Sequence, residues 1–535
     1  MIYKLLLLCA FTLGCKKSQP RSPPIPRCKF PKLSREALKM GAKILCSGFG
    51  DRYLNDPKTY DELTPALVKE GGVRENGKIV IKENLIVPKE NPKSTKCHLQ
   101  CPVGFVPEVP VTQCNGGKWT HEPGSISCVP SPCGSPPSPQ NGKFWCYGNQ
   151  ATCYLTCNPG YVTMDENPFV TCNGSSWSTN PSELRCEEAV ALLTGGIGKS
   201  TYNFKEKGSI WPAACQTTEV FSLKDQNCSE EFRSVLKIGV NDHTTHLVNG
   251  KILLCGGQEC GRSEEKISSG KPMYNKTKQY ESCFKLEDDN TWSFHSQWKP
   301  HKQKHIGGLQ MNELQLSGGI WGENLKATIK LKDDIWVKGR TPALPVALYA
   351  ADVDYPCMVV TSPHTFIVIG GPEIFLKDTN TSSVVEFNSL TEEWRALPDL
   401  PVLRRGHACT LVTTKTGPGI MVAGGSYRAK PQKTVHLLDL GTEQWFPAGS
   451  LHVEREDFAL SVLGERLVVI GSYYFFAGGH SSEEETVEEY VVPCPSLAEC
   501  HPSQEGTWTQ INRVIGRRKG LSVLPVAATR FNCEI

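Results

Sequence analysis

The side chains with most scope for chemistry in this 535-residue chain are its 24 cysteines, 13 histidines and a few clustered arginines. Imidazoles suit copper and related metals, provided that several converge in a defined geometry. His243, His246, His305 and His407 open or lie within short apolar segments, and Tyr473, Tyr474 and His480 are close in sequence, but no local motif joins them. A Ser–His–Asp hydrolase built on a GxSxG turn and a GxxxxGK[ST] phosphate loop are both absent from the sequence. Arg404, Arg405, Arg455, Arg517 and Arg518 each precede an apolar segment. If those segments are equivalent strands, the arginines gather on one face and form a possible ligand face for an acidic partner. Ordinary solvation of strand ends is the simpler account. The five glutamates of 483–489 read as a solvated acidic loop.

So many cysteines point to disulfide chemistry and an oxidising compartment. The N-terminus agrees: Lys4, the apolar run Leu5–Leu13, and small residues Thr12 and Gly14 before Cys15 read as a signal peptide over 1–14. No later run of about 18 apolar residues predicts a membrane span. Asn173-Gly-Ser, Asn227-Cys-Ser, Asn275-Lys-Thr and Asn380-Thr-Ser are glycosylation sequons. The chain is expected to be secreted.

Residues 15–27 are Pro-rich and basic, an extended lead-in. Two copies of one cysteine pattern come next. The second runs Cys133, Cys146, Cys153, Cys157, Cys172, Cys186; the first runs Cys28, Cys46, Cys97, Cys101, Cys114, Cys128. Both contain Cys-x-x-x-Cys, and both contain Cys-Asn-Gly-x-x-Trp, ending at Trp119 and Trp177. Spacing alone leaves every connectivity of six cysteines open. The pattern resembles the sushi (complement control protein) module in its six-cysteine, selectin-like variant. That resemblance implies Cys28–Cys114, Cys101–Cys128 and Cys46–Cys97 in a first module over 28–128. It implies Cys133–Cys172, Cys157–Cys186 and Cys146–Cys153 in a second over 133–186. The first copy departs by a long insert, 47–96, in which Asn76-Gly77 between apolar stretches predicts a hairpin.

What must position everything downstream is a short apolar strand ending in glycine, used repeatedly: AVALLTGG (189–196), KILLCGG (251–257), ELQLSGG (313–319), TFIVIGG (365–371), GIMVAGG (419–425) and RLVVIGS (466–472). A unit near 50 residues marks a propeller or an array. Within the units another apolar segment precedes the glycine strand, and a further strand and a Trp come after it, as at Trp292, Trp336, Trp394 and Trp445. This resembles the kelch repeat over about 189–528 and implies a β-propeller of six blades. The first unit lacks its leading strand, and KGLSVLPV (519–526) near the C-terminus is spare. Pairing the two would close the ring and hide its sheet edges. Residues 529–535 remain as a tail. Cys215–Cys228 and Cys494–Cys500 are expected as local pairs; Cys255, Cys260, Cys283, Cys357, Cys409 and Cys533 are not assigned partners.

The expected fold is therefore all-β: two disulfide-stapled sushi modules, then a six-bladed kelch β-propeller closed by a C-terminal strand. Lys and Arg number 58 against 55 Asp and Glu, a net +3 that favours no nucleic acid. Residues 1–100 are basic by ten, however, and suit a sulfated glycan. The expected function is non-enzymatic recognition or adhesion, with an extracellular protein or glycan held by propeller and sushi loops. No catalytic residue, metal or cofactor is expected. The alternatives are a galactose-oxidase-like copper enzyme, also built on kelch repeats, and a structural matrix or cuticle component.

Overall fold

A computed structural model describes residues 42–46, 73–75, 78–80 and 96–101, most of 104–196 and most of 201–533. Outside the description lie 1–41, 47–72, 81–95, 197–200, 260–279, 318–327, 339–356, 371–381, 472–485, 515–519 and 534–535, with shorter stretches between strands. Within it the chain is all-β, with a few 3-10 turns. No helix there is long and apolar enough to cross a membrane.

The front holds two sheets of the same plan. Lys43–Cys46, Lys96–Gln100, Val111–Asn115 and Lys118–Trp119 form one; Gly142–Tyr147, Thr152–Cys157, Phe169–Asn173 and Ser176–Trp177 form the other. Inside the 47–96 insert, Val73–Glu75 pairs antiparallel with Lys78–Val80, the hairpin expected about Asn76-Gly77. The core of the second module is small: Phe144, Cys153, Leu155, Val170 and Leu184, with Trp177 packed beside them. Domains this small bury too little to stand alone, which is why bridges accompany them.

Each module ends in a short closing pair, and the chain leaves the two pairs differently. In the first, Phe105–Pro107 pairs with Cys128–Pro130. In the second, Tyr161–Val162 pairs with Glu187 and Glu188, the first two residues of an eight-residue strand, Glu187–Thr194. That strand then enters the next body. There it lies between Thr217–Phe221 and Ser522–Ala527. One strand therefore belongs to both the second module and the repeats. The joint is tight: a Cβ on Gly160 (φ +86°) would fall 1.8 Å from the Gly464 carbonyl oxygen, and Gly464 N–H donates to the Gly160 carbonyl at 3.0 Å.

Beyond the joint, the described residues form six antiparallel sheets that share a four-strand order, the first extended by Tyr161–Val162; the strand of each that touches its counterparts in the neighbouring sheets is its inner strand. From the inner to the outer strand they are Ser522–Ala527, Glu187–Thr194, Thr217–Phe221 and Arg233–Val235; Thr244–Val248, Lys251–Cys255, Ser282–Leu286 and Trp292–Gln297; Ile306–Gln310, Glu313–Ser317, Thr328–Lys332 and Ile335–Lys338; Cys357–Ser362, Thr365–Ile369, Ser382–Asn388 and Glu393–Leu400; Ala408–Thr414, Gly417–Ala423, Thr434–Asp439 and Gln444–Ser450; and Ala459–Leu463, Arg466–Ile470, Thr486–Val491 and Thr507–Val514. The spare C-terminal segment is thus the inner strand of the first sheet, in register from Thr194↔Ser522 to Ala189↔Ala527. In the last unit, RLVVI supplies the second strand. Inner strands touch in succession, second to third through fifth to sixth, and Ser522–Ala527 touches the inner strands of both the second and the sixth sheets.

The glycine strand is apolar on both faces because each face meets a different sheet. Ile420 and Val422 pack against Ile367, Ile369 and Leu397 of the fourth sheet. Met421 and Ala423 pack against Leu467, Val469 and Trp508 of the sixth. All four are fully buried, and complete burial of a Val, Ile or Met side chain contributes roughly 1.5–3 kcal/mol. The glycines turn the chain where the next lead-in passes. Gly424 and Gly425 sit at φ +57° and +90°, and a Cβ would lie 2.8 Å from the Arg455 carbonyl oxygen at the first and 2.7 Å from that of Arg405 at the second. Outer-strand tryptophans latch the second, third, fifth and sixth sheets to the one before. Trp292 donates to Thr218 Oγ1, Trp336 to Ser296 Oγ, Trp445 to the Pro398 carbonyl and Trp508 to the Ala448 carbonyl, each at 3.0 Å.

Candidate functional site

The register makes the residues ahead of each inner strand comparable. Thr244, Ala408, Ala459 and Ser522 stand opposite the last strand residue of their sheets, Cys255, Ala423, Ile470 and Thr194. Counting back four residues from the strand start aligns Val240, Arg404 and Arg455; counting back one aligns His243, His407 and Phe458.

Arg404 and Arg455 do not form a ligand face. Their relative exposures are 0% and 2%. The repeat does bring them to equivalent positions, but each guanidinium points into the protein and holds the carbonyl of its own sheet's first turn glycine. Arg404 Nη1 donates to the Gly424 carbonyl at 3.0 Å and the Thr434 carbonyl at 2.8 Å; Nη2 donates to Thr434 Oγ1 at 2.9 Å and His436 Nδ1 at 3.0 Å. Arg455 Nη1 donates to the Gly471 carbonyl at 2.6 Å, and its Nε and Nη2 reach Glu488 Oε1 at 3.1 and 2.9 Å. A planar fork with five donors suits such a crossing of carbonyls better than lysine would. Arg405 is half-buried and exchanges backbone hydrogen bonds with Ser426. Arg517 and Arg518 lie outside the described residues.

Of the segment expected as a solvated acidic loop, 483–485 lie outside the described residues and the rest is ordered. Thr486–Val491 is a strand, Glu488 is fully buried against Arg455, and Glu489 pairs with Arg466. The alternating register sends successive glutamates to opposite faces, which a count of like charges does not reveal.

Among the described residues the histidines do not converge on a metal site. His243 Nε2 meets Thr194 Oγ1 at 2.7 Å, and His246 Nε2 meets Thr244 Oγ1 at 2.8 Å. Burial, with Arg404 nearby, lowers His407 to about 3 and His436 to about 4, so both imidazoles are neutral at ordinary pH. Burial alone lowers Arg404 to about 10. No group of three or more metal-ligating side chains occurs among the described residues. His305, Tyr473, Tyr474 and His480 lie outside them.

Five of the expected bridges are present. Cys101 is joined to Cys128, Cys133 to Cys172, Cys146 to Cys153, Cys157 to Cys186 and Cys494 to Cys500. Cys97 is disulfide-bonded and stands opposite Cys46 in the register. Cys28, Cys215, Cys228 and Cys260 lie outside the described residues, as do Asn227, Asn275 and Asn380. Asn173 is exposed at the end of its strand. Two further bridges join cysteines to which the sequence assigns no partner. Cys255–Cys283 links directly opposed strand residues, and Cys357–Cys409 links the inner strands of the fourth and fifth sheets. Cys533 is also disulfide-bonded. A cleft at the joint between the second module and the sheets is lined by Glu188, Ser222, Lys224, Leu463 and Arg466. Its cations are already paired, Lys224 with Glu188 at 3.1 Å and Arg466 with Glu489.

No family model matches the chain. It is 28% identical over 127 residues to the sushi, von Willebrand factor type A, EGF and pentraxin domain-containing protein 1 of Rattus norvegicus, covering 21% of this chain and 4% of that protein. It is 36% identical over 107 residues to complement factor H of Bos taurus, covering 19% and 8%. The chain therefore spans less than a tenth of these relatives. The solved structure of YjhT aligns over 70% of this chain and 98% of its own at 13% identity, with a TM-score of 0.37, too low to bear on the fold. The bridges and these relatives support sushi modules, and so many disulfides fit an extracellular protein.

Proposed function

We propose that the chain is a secreted, non-enzymatic recognition protein. In this reading two sushi modules stand on a six-bladed kelch propeller closed by its C-terminal strand. The uniform strand order of the six sheets, the turn glycines and the circuit of inner-strand contacts support the propeller. The observation that carries the function is the strand Glu187–Thr194, shared by the second module and the first sheet. It fixes the module's loops relative to the sheets, so both can meet one extracellular protein or glycan as a single surface. Loops on a rigid frame are where recognition is usually carried. The basic front offers a sulfated glycan a second point of attachment.

The test uses the full secreted chain against displayed extracellular proteins and a glycan array. Saturable binding is expected, and it should weaken when Gly160→Arg disrupts the joint. Stoichiometric copper with peroxide release from an alcohol would overturn the non-enzymatic reading. Recovery only as an insoluble, cross-linked material would favour a structural component. Retention on a heparin column that fails below physiological salt would remove the sulfated-glycan contact.

A further inference from the structure

The outer face of the second module carries an aromatic row that the core does not use. Alternation sends Phe144, Cys153, Leu155 and Val170 inward. Trp145, Tyr154 and Phe169 therefore share the opposite face. They are consecutive across three strands, Trp145 opposite Tyr154 and Tyr154 opposite Phe169. The Tyr154 and Phe169 ring centroids lie 5.5 Å apart, and Lys143 Nζ lies 4.7 Å from the centroid of the Trp145 ring. Thr152 and Thr171, side by side at 3.2 Å, continue the face toward the end of the strand. All three aromatics are half-buried.

The same strand ends in a sequon. Phe169, Thr171 and Asn173 are alternate residues of Phe169–Asn173 and line one face. Asn173 is exposed and opposite Ser176, at the mouth of a hairpin. Phe169 lies four residues back, about 13 Å along the strand, within reach of a core oligosaccharide. The C–H faces of N-acetylglucosamine and mannose are apolar and stack on aromatic rings, while their hydroxyls remain in water.

We propose that Asn173 is N-glycosylated and that the proximal sugars fold back over Thr171 and Thr152 onto the Phe169–Tyr154–Trp145 row, covering it. The donor is a lipid-pyrophosphate-linked oligosaccharide. Asn173 Nδ2 forms the new bond to C1 of the first sugar, the bond from C1 to pyrophosphate breaks, the lipid pyrophosphate leaves with its electron pair, and the amide proton passes to a base. This rests on the secretory reading above. The occupant is the chain's own glycan because the attachment point shares one strand and one face with Phe169, the near end of the row.

The test compares protein from secreting eukaryotic cells in four forms: unaltered, Asn173→Gln, Tyr154→Thr with Phe169→Thr, and all three changes together. Glycopeptide mass spectrometry is expected to find Asn173 occupied. Loss of the glycan should raise cleavage within the second module by limited proteolysis about tenfold, the factor that corresponds to 1.4 kcal/mol. The same loss should have no effect once the row is gone. In case the row variant misfolds, NMR of the labelled glycan gives a second reading. N-acetyl methyl signals should be shifted upfield by the rings in the unaltered protein, and the Phe169→Thr change alone should return them toward their free positions. Equal effects of glycan removal with and without the row, or unshifted methyl signals, would overturn the proposal. So would an empty Asn173. If Asn227, Asn275 and Asn380 are empty as well, the secretory reading falls with it; if they are occupied, only this inference does.

Discussion

The fifth and sixth sheets solve one problem in two ways. Each places an arginine where the lead-in to its inner strand crosses the turn glycine, and each arginine bonds that glycine's carbonyl. In the sixth sheet the cation has a buried partner: Glu488 also accepts the His452 N–H at 2.6 Å. In the fifth, the register position of Glu488 is taken by His436, since Val469↔Glu488 and Val422↔His436 are equivalent pairs. There the charge is balanced only by carbonyls, a hydroxyl and a neutral imidazole. The fixed requirement is therefore a forked donor for the carbonyls, and the counter-charge is optional. A buried cation without an acid carries a desolvation cost, which is why Arg404 is lowered; His407 and His436 are held neutral by their own burial first and by the Arg404 charge second.

The largest effect expected from this contrast is in the sixth sheet. Arg455→Met leaves Glu488 buried without its cation and should cost about 3–5 kcal/mol, read as a shift in the urea midpoint of the oxidised protein. A loss no greater than that of Arg404→Met would erase the distinction. Glu488→His writes the fifth-sheet solution into the sixth. It should cost about 1.5–3 kcal/mol, the worth of bonds to a charged group, and fall below Arg455→Met in the same titration.

Third comes acid sensitivity, which of these two sheets should belong to the fifth. His407 has a folded pKa near 3 against 6.5 for the unfolded chain, so below pH 6.5 the unfolded state takes up a proton that the folded state refuses. Stability should fall as pH falls through that window, by roughly 2 kcal/mol from this residue between pH 7 and 5. His407→Phe, which copies Phe458 of the sixth sheet, should remove that increment. Urea midpoints at the two pH values that move equally in both proteins would contradict this. The smallest effect is at the latches. Trp445→Phe keeps the ring but loses the bond to Pro398 and should cost about 1 kcal/mol. The Trp508→Phe change should exceed it, because Trp508 is buried while Trp445 is half-exposed.

Local pattern made much of this visible. The glycine strands and the spare strand at 519–526 were legible because an apolar strand needs neighbours on both faces and edges. The paired cysteine patterns were legible because small modules repeat their bridges. The arginines resist such reading for a physical reason: sequence reports that a cation precedes a strand, but not whether its side chain turns outward or back under the glycine. Glu488 is hidden inside a run of like charges for the same reason. Cys255–Cys283 and Cys357–Cys409 depend on register within one sheet and on contact between two sheets. Neither leaves a trace in spacing. The aromatic row escapes notice in the sequence because Trp145, Tyr154 and Phe169 are far apart there and become neighbours only when three strands align.

The shared strand has a mechanical consequence. Tension on the N-terminal modules reaches Glu187 through the Cys157–Cys186 bridge and enters a strand bonded along both sides. Because Ala189 lies opposite Ala527, the N-terminal end of this strand and the C-terminal end of Ser522–Ala527 meet at the same end of the ladder, so a pull between the two ends of the chain would open those cross-strand bonds one at a time from there. The neighbouring closing strand is itself held beyond its end, where Cys533 is bridged and Arg530 donates to the Glu287 carbonyl at 2.9 Å. Those anchors beyond Ala527 would therefore carry the load before the ladder does.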